Sequence, residues 1–153
     1  MVNLGNLKIE LIDYNNIEHL NFLRKLMSSK DMGYLWDLTD KDLKNNQNSG
    51  KYIIINELEQ RIGYLNISDS TEAYYGNTVS IYYAIEENYR GNEYGKKIIQ
   101  EVSKWLFEEN NIDCIVAQVD VKNNHSINVL NNTGMIQVNS DEDYSTFIQR
   151  KNR

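Results

Sequence analysis

Residues 81–97 read IYYAIEENYRGNEYGKK and place a strand, a turn and the start of a helix in succession. Apolar and polar residues alternate over 78–85, as they do in a strand with two distinct faces. Over 96–109 the apolar residues recur at helical spacing, which predicts an amphipathic helix. Because a turn that feeds a helix N-terminus points unpaired backbone amides at one spot, the stretch predicts a phosphate-binding site.

The turn in this stretch carries glycines and cations as well as backbone amides. Gly91 and Gly95 permit a close approach of the backbone, and Arg90, Lys96 and Lys97 bring positive charge to the same loop. A pyrophosphate would be held well by this combination. The alternative is that the glycines only form a turn and the lysines are solvated, and the loop alone does not separate the two interpretations.

The rest of the chain has the pattern of a mixed α/β domain. Besides 78–85, strands are predicted over 7–12, 52–55, 62–68, 114–121, 135–138 and 144–150, and helices over 17–27, 39–46, 96–109 and 126–133. A β-rich centre followed by alternating strands and helices indicates a mixed sheet with helices on its faces, an α/β (α+β) fold. The 153 residues contain no proline and no Gly/Ser-rich linker, so we expect one domain over 1–153.

Composition and charge exclude several function classes. The formal net charge of -6 argues against nucleic acid, which requires clustered Lys and Arg, and favours a cationic partner, although excess charge also serves solubility. No apolar run approaches the roughly eighteen residues of a membrane span. The first residues lack the basic and apolar regions of a secretory signal. We therefore expect a cytoplasmic protein with no membrane partner.

The single cysteine and the two histidines argue against a metal site. Cys114 lies in an apolar run, which predicts a buried thiol and not a catalytic one. His19 and His125 are far apart in sequence, and no cluster of Cys and His exists that would hold zinc. Neither a metal nor a Cys/His nucleophilic pair is expected.

Two blocks of the sequence resemble signatures of the GCN5-related N-acetyltransferase (GNAT) family. Residues 90–95 are similar to its acetyl-CoA signature, which is Arg or Gln, two variable residues, Gly, one variable residue, and Gly or Ala. Residues 120–136, DVKNNHSINVLNNTGMI, resemble the next signature, with Met135 in place of the usual Phe. Their Asn-x-x-Ser-Ile-x-Val-Leu pattern is closest to the subgroup that acetylates ribosomal-protein N-termini. The similarity covers about 63–136.

The resemblance implies a fold, a reaction and a set of residues. The fold would be a twisted, mixed and mainly antiparallel central sheet flanked by helices, with coenzyme A between two diverging strands. The reaction would be direct transfer of an acetyl group from acetyl-CoA, without a metal, to a primary amine of a small molecule or a peptide N-terminus. The residues implied to bind the coenzyme are Tyr83, Ala84, Ile85, Arg90, Gly91, Asn92, Glu93, Tyr94, Gly95, Lys96 and Asn123.

Three positions depart from the family pattern. Glu93 replaces the usual glycine, and a carboxylate about 6 Å from a phosphate charge would cost on the order of 1 to 3 kcal/mol. Leu130 stands where many relatives carry a tyrosine acid, and Gln118 where some carry a glutamate base. The alternative function is therefore a non-catalytic acyl-CoA-binding domain, regulatory or part of a homodimer. An unrelated nucleotide-binding domain fits less well, because 90–95 is neither a dinucleotide fingerprint nor a P-loop.

Two residues are candidates for contact with the reacting groups. Ser126 matches the serine that can hydrogen-bond near the sulfur in the ribosomal-protein subgroup, and its alternative role is a helix N-cap. Tyr82 lies beside the expected acetyl position, and its alternative role is a packed aromatic. The sequence leaves the two roles of Ser126 open and favours the packed aromatic for Tyr82.

The resemblance also implies two loops that border the acceptor site. These loops contain Tyr34, Trp36, Asp141, Glu142 and Asp143. Aromatic rings beside carboxylates suit an amine cation through cation-π and charge attraction. A solvated turn would explain the acidic loop equally well.

Overall fold

The structure, a computed structural model, describes residues 1–27, 50–70, 76–91 and 93–151. The strands are β1 (Val2–Asn3), β2 (Lys8–Leu11), β3 (Lys51–Ile55), β4 (Arg61–Asp69), β5 (Thr78–Ile85), β6 (Cys114–Asp120), β7 (Ile136–Ser140) and β8 (Tyr144–Arg150). The helices are α1 (Ile17–Met27), α2 (Tyr94–Glu109), α3 (Asn124–Asn131) and a 3-10 helix at Glu87–Tyr89. The predicted helix over 39–46 lies outside the described residues.

The chain divides into two compact units. The first unit is Met1–Asn66 with Tyr83–Asn92, and the second unit is Ile67–Tyr82 with Glu93–Arg153. Strands β4 and β5 each contribute residues to both units.

An antiparallel ladder runs through the first unit in the order β1, β2, β3 and β4. Ile9 of β2 lies opposite Ile54 of β3, and Ile54 lies opposite Gly63 of β4. Directly after β5, the Glu86 amide donates a hydrogen bond to the Ile62 carbonyl at 2.7 Å. The end of β5 is thereby held against β4.

Helix α1 is held in the first unit by its apolar face. It begins after Asn16, whose side-chain oxygen accepts a hydrogen bond from the Glu18 amide at 2.9 Å and so caps the helix. Leu20, Leu23 and Leu26 recur at three-residue spacing and are buried. The helix predicted over 17–27 is confirmed, with the same bounds.

The second unit contains the parallel strand pair. Strands β5 and β6 pair in parallel from Thr78 opposite Cys114 to Ile81 opposite Ala117. A parallel pair needs a long crossover connection, which α2 supplies. Strand β8 pairs antiparallel with both β6 and β7, so it lies between them although it follows β7 in the chain.

Helix α2 buries Ile98, Ile99, Val102 and Leu106, the residues that predicted its apolar face. It begins at Tyr94, two residues before the predicted start. The predicted mixed, mainly antiparallel sheet with helices is confirmed by the two ladders and their connections. None of the described helices has the length and apolar character needed to cross a membrane.

Cys114 lies at the start of β6 and is fully buried, clustered with Val116 and Ile148. Burial raises the pKa of its thiol, which disfavours the nucleophilic thiolate. The prediction of a buried thiol is confirmed.

Candidate functional site

The site begins where β5 leaves its parallel partner. Among the described residues the β5–β6 ladder ends at Ile81 opposite Ala117, although β6 continues to Asp120. Tyr82 follows directly on β5 and is half-buried. Residues 83–85, implied to line the pantetheine arm, are the last of β5 and belong to the first unit.

Gly63 allows β4 to approach this end of β5. A Cβ atom at residue 63 would lie 2.4 Å from the Ala84 carbonyl oxygen, closer than any side chain can tolerate. The sequence reasoning did not assign Gly63 a role, although an isolated glycine within a strand pattern signals a close backbone approach.

The turn after β5 is a 3-10 helix tied back to the strand. Glu86 caps it, because its side chain accepts a hydrogen bond from the Asn88 amide at 3.0 Å. Arg90 follows, and its Nε donates to the Ile85 carbonyl oxygen at 3.0 Å. Part of the Arg90 guanidinium is therefore used to hold the strand end, a role that the sequence reasoning missed.

The chain then enters α2 through two residues with positive φ. Gly91 has φ 81°, and Glu93 has φ 60° and ψ 17°, the left-handed region that favours glycine. Asn92, implied to bind the coenzyme, lies outside the described residues. The left-handed backbone at residue 93 fits the glycine that the resemblance implies for this position, since a side chain is strained in that conformation.

The first turn of α2 provides the amides that the phosphate prediction required. The Glu93 side chain makes no capping hydrogen bond, and the first turn contains no acidic residue. Tyr94, Gly95 and Lys96 occupy this turn, and Gly95 is buried. Lys97 Nζ lies 5.4 Å from the centroid of the Tyr94 ring, close enough for a cation-π contact. The positive end of the helix dipole and two lysines therefore coincide.

Replacing Glu93 by glycine should have two separable effects. Glu93→Gly should relieve the left-handed strain and raise the free energy of unfolding by about 1 kcal/mol. It should also lower the dissociation constant for coenzyme A, because a carboxylate leaves the phosphate loop, and this gain should shrink as salt is added. Denaturant unfolding and calorimetry measure the two effects.

Glu93→Gln is the matched control for that substitution. Glutamine removes the charge but keeps the strained backbone, so coenzyme A binding should tighten without any gain in stability. Unchanged or weaker binding of both variants at low ionic strength would contradict the electrostatic part of this prediction.

Helix α3 brings the second group of predicted residues together within the second unit. Asn123 is the N-cap, and its side-chain oxygen accepts a hydrogen bond from the Ser126 amide at 3.2 Å. The alternative role of Ser126 as the N-cap is wrong, because α3 begins at Asn124 and not at residue 126. Within the described chain the Ser126 hydroxyl makes no hydrogen bond, so it stays available.

Two family positions for acid–base groups carry no titratable side chain here. Leu130 is fully buried on α3, four residues after Ser126, and therefore lies on the same helix face. Gln118 is exposed on β6, where its Nε2 donates to the Thr146 hydroxyl at 3.4 Å. Ser126 is thus the polar group one helical turn from the position where relatives carry the tyrosine.

The acidic loop joins β7 to β8 and contains a tight turn. Asp141 Oδ1 accepts hydrogen bonds from the Tyr144 and Asp143 amides, both at 2.8 Å. These bonds, the one from Tyr144 first, lower the pKa of the Asp141 carboxyl. Asp141 therefore forms the turn, which is the alternative role predicted for this loop. Glu142 and Asp143 are exposed. Tyr34 and Trp36 lie outside the described residues.

Possible metal ligands are dispersed among the described residues. No group of three or more His, Cys, Asp or Glu lies together in 1–27, 50–70, 76–91 and 93–151.

Comparison with known proteins identifies the family. The model of the acetyltransferase (GNAT) family matches residues 17–135, which is most of the chain. The chain therefore belongs to the acetyltransferase (GNAT) family. It is an N-acetyltransferase that transfers an acetyl group from acetyl-CoA to an amine.

Solved structures of acetyltransferases share its fold. A GNAT-family acetyltransferase from Bacillus anthracis aligns with a TM-score of 0.79 at 17% identity, over 97% of each chain. The aminoglycoside acetyltransferase AAC(6')-Ib, in complex with coenzyme A, aligns with a TM-score of 0.76 at 14% identity, over 95% of each chain. A chimera of the spermidine N-acetyltransferase SpeG from Vibrio cholerae and hSSAT aligns with a TM-score of 0.73 at 13% identity, over 95% of this chain and 96% of that one. Among curated proteins, no sequence match was found.

Proposed function

We propose that the chain acetylates a cationic primary amine, and that acetyl-CoA is held by residues 83–85 and 90–96 with Asn123. The observation that carries this proposal is the first turn of α2, whose amides receive no cap from the Glu93 side chain and are accompanied by Lys96 and Lys97. Such a helix start fits a pyrophosphate. The family match spans residues of both compact units, which supports one acetyltransferase domain.

Asn123 suits the assigned role because, among the described residues, only the oxygen of its side-chain amide takes part in a hydrogen bond. Its Oδ1 caps α3 by accepting the Ser126 amide. The Nδ2 group can then donate to a carbonyl or phosphate oxygen of the coenzyme.

The acyl transfer requires a neutral amine and a stabilised thiolate. The amine nitrogen attacks the thioester carbon, the carbon–sulfur bond breaks, and the departing sulfur takes a proton or a hydrogen bond. The Ser126 hydroxyl can donate that hydrogen bond, whereas the apolar side chain of Leu130 cannot. Water carries the amine proton away, because Gln118 is not a base. Proximity and a backbone oxyanion contact supply much of the acceleration.

A cationic acceptor is supported by charge and by relatives. The chain has a formal net charge of -6, and two carboxylates of the acidic loop, Glu142 and Asp143, are exposed. Two of the structures that share the fold are named for polycationic amines, an aminoglycoside and spermidine. We also propose a cytoplasmic location, with which a lone buried Cys114 is consistent. A homodimer stays a prediction.

Release of free thiol from acetyl-CoA across a panel of amines tests the function. The panel should contain a monoamine, a polyamine, an aminoglycoside and a peptide with a free N-terminus. We expect turnover with at least one amine and higher kcat/KM for polycations. Saturable acetyl-CoA binding with no turnover on any amine would instead support the non-catalytic acyl-CoA-binding domain.

The acidic loop should act on the acceptor and not on the coenzyme. Replacing Glu142 by Gln and Asp143 by Asn leaves the turn-forming Asp141 intact, so the loop should keep its shape. We expect a higher KM for the best polycationic amine, an unchanged KM for acetyl-CoA, and a difference that shrinks at high salt. Steady-state kinetics at two ionic strengths measure this.

Asp141→Asn supplies the comparison for the double variant. An asparagine oxygen can still accept both backbone hydrogen bonds, so this variant removes charge at the turn alone. If neither the double variant nor a triple variant that adds Asp141→Asn to it changes the KM for the amine, the three carboxylates only form a solvated turn.

A further inference from the structure

A buried carboxylate lies next to the coenzyme-binding segment and has no part in the reaction described above. Glu86 follows β5 directly, four residues before Arg90, and is only 5% exposed. Burying an ionised carboxylate is costly unless hydrogen bonds and a cation compensate for its lost hydration. Its partners therefore indicate what it stabilises.

Both oxygens of Glu86 are engaged within the first unit. Oε2 accepts a hydrogen bond from the Asn88 amide at 3.0 Å, and Oε1 accepts one from Asn88 Nδ2 at 3.3 Å. The Lys25 ammonium on the last turn of α1 lies 3.9 Å from Oε1. Glu86 thus connects α1 to the turn that leads into the coenzyme segment.

The backbone of Glu86 is anchored as firmly as its side chain. Its amide donates to the Ile62 carbonyl at 2.7 Å, and its carbonyl accepts from the Tyr89 amide at 2.9 Å. Arg90 then returns to the strand through its Nε bond to the Ile85 carbonyl. The strand end, the 3-10 helix and Arg90 therefore form one closed set of hydrogen bonds that contains Glu86.

A role as general base does not fit this geometry. A base needs an oxygen within reach of the amine proton, whereas Glu86 is almost completely buried and both of its oxygens are engaged by Asn88. Removal of its carboxylate would instead leave the Asn88 amide without its acceptor and free the turn to move.

We propose that Glu86 is a positioning residue for acetyl-CoA: it fixes the turn at Glu87–Tyr89 and thereby the start of the segment that holds the pyrophosphate. The inference rests on the proposed coenzyme site. Loss of this support should weaken coenzyme binding by about tenfold, which corresponds to roughly 1.4 kcal/mol.

Three variants separate positioning from general stabilisation. Glu86→Ala removes the support, Glu86→Gln keeps an acceptor for the Asn88 amide, and Glu87→Gln removes an exposed carboxylate from the same turn as a matched control. Calorimetry with coenzyme A, well below each Tm, should show about tenfold weaker binding for Glu86→Ala. The dissociation constants of Glu86→Gln and Glu87→Gln should stay within about twofold of the wild-type value. If Glu86 acted through its charge alone, Glu86→Gln would bind coenzyme A as weakly as Glu86→Ala does.

Kinetics complete the test. Glu86→Ala should raise the KM for acetyl-CoA, with kcat at saturating acetyl-CoA and the KM for the amine unchanged. Equal coenzyme affinity in Glu86→Ala and Glu87→Gln would overturn the proposal, as would a large loss of kcat in Glu86→Gln, which would indicate a base.

Two further controls keep the result interpretable. If Glu86→Ala does not fold, Asn88→Ala is the milder test of the same support, because it removes the Nδ2 donor to Oε1 from an exposed position and keeps the backbone amide bond to Oε2. Failure of the wild type to bind coenzyme A would refute the proposed coenzyme site itself. Wild-type binding with no effect of either alanine variant would refute only the role of Glu86.

Discussion

Gly63→Ala should lower the free energy of unfolding by on the order of 3 kcal/mol. The new Cβ would lie 2.4 Å from the Ala84 carbonyl oxygen. That oxygen belongs to the backbone of β5, so it cannot rotate away as a flexible side chain could. Denaturant unfolding measures the loss, and coenzyme binding should weaken in parallel because β5 must shift beside its last residues.

Gly134→Ala is the control for the steric clash between a Cβ atom at residue 63 and the Ala84 carbonyl oxygen. Residue 134 has φ 85°, but a Cβ there would meet only Gln149 Nε2 at 3.8 Å, an ordinary contact distance. Its cost should be that of the left-handed backbone alone, about 1 kcal/mol. A loss for Gly63→Ala no greater than that for Gly134→Ala would show that β4 and β5 adjust without strain.

Gly95→Val should weaken coenzyme A binding by at least about tenfold, which corresponds to roughly 1.4 kcal/mol. Gly95 is buried in the first turn of α2, where a glycine lets a phosphate approach the backbone amides. A β-branched side chain would stand among those amides. Calorimetry with coenzyme A gives the dissociation constant directly.

Gly95→Ala distinguishes loss of the site from loss of the helix. Alanine favours a helix more than glycine does, so any weaker binding reflects bulk at the amides and not an unwound turn. We expect the dissociation constant of Gly95→Ala for coenzyme A to lie between those of the wild type and Gly95→Val. An unchanged dissociation constant for Gly95→Val in a folded protein would mean that the pyrophosphate is bound elsewhere.

Most of the described helices and strands could be predicted because their signals are local. The three-residue recurrence of leucines in α1 and the alternation along β5 set both elements with the observed bounds. Short elements were missed because a local pattern needs several residues before it can be recognised. The two residues of β1 and the three of the 3-10 helix are too few to show a period.

The start of α3 shows where local pattern is insufficient. Asn123 and Ser126 are both good N-cap residues, and the sequence alone does not rank them. The preceding turn decides between them, because the Asn123 amide donates to the Asp120 carbonyl at 2.9 Å and sets the helix start. The Ser126 hydroxyl, which has no hydrogen bond to the described part of the chain, lies on the helix face that Ser126 shares with Leu130.

The sequence by itself determined the family, the position of the turn for which phosphate binding is proposed, and the departures at Glu93, Leu130 and Gln118, because these depend on residue type and spacing. The tertiary structure alone decided the close approach at Gly63, the capping role of Asn123 and the burial of Glu86. Each of these depends on a partner distant in sequence or on the exact path of the backbone. Spacing along a chain specifies which residues share a face, but it does not specify which atom of another strand or turn that face will meet.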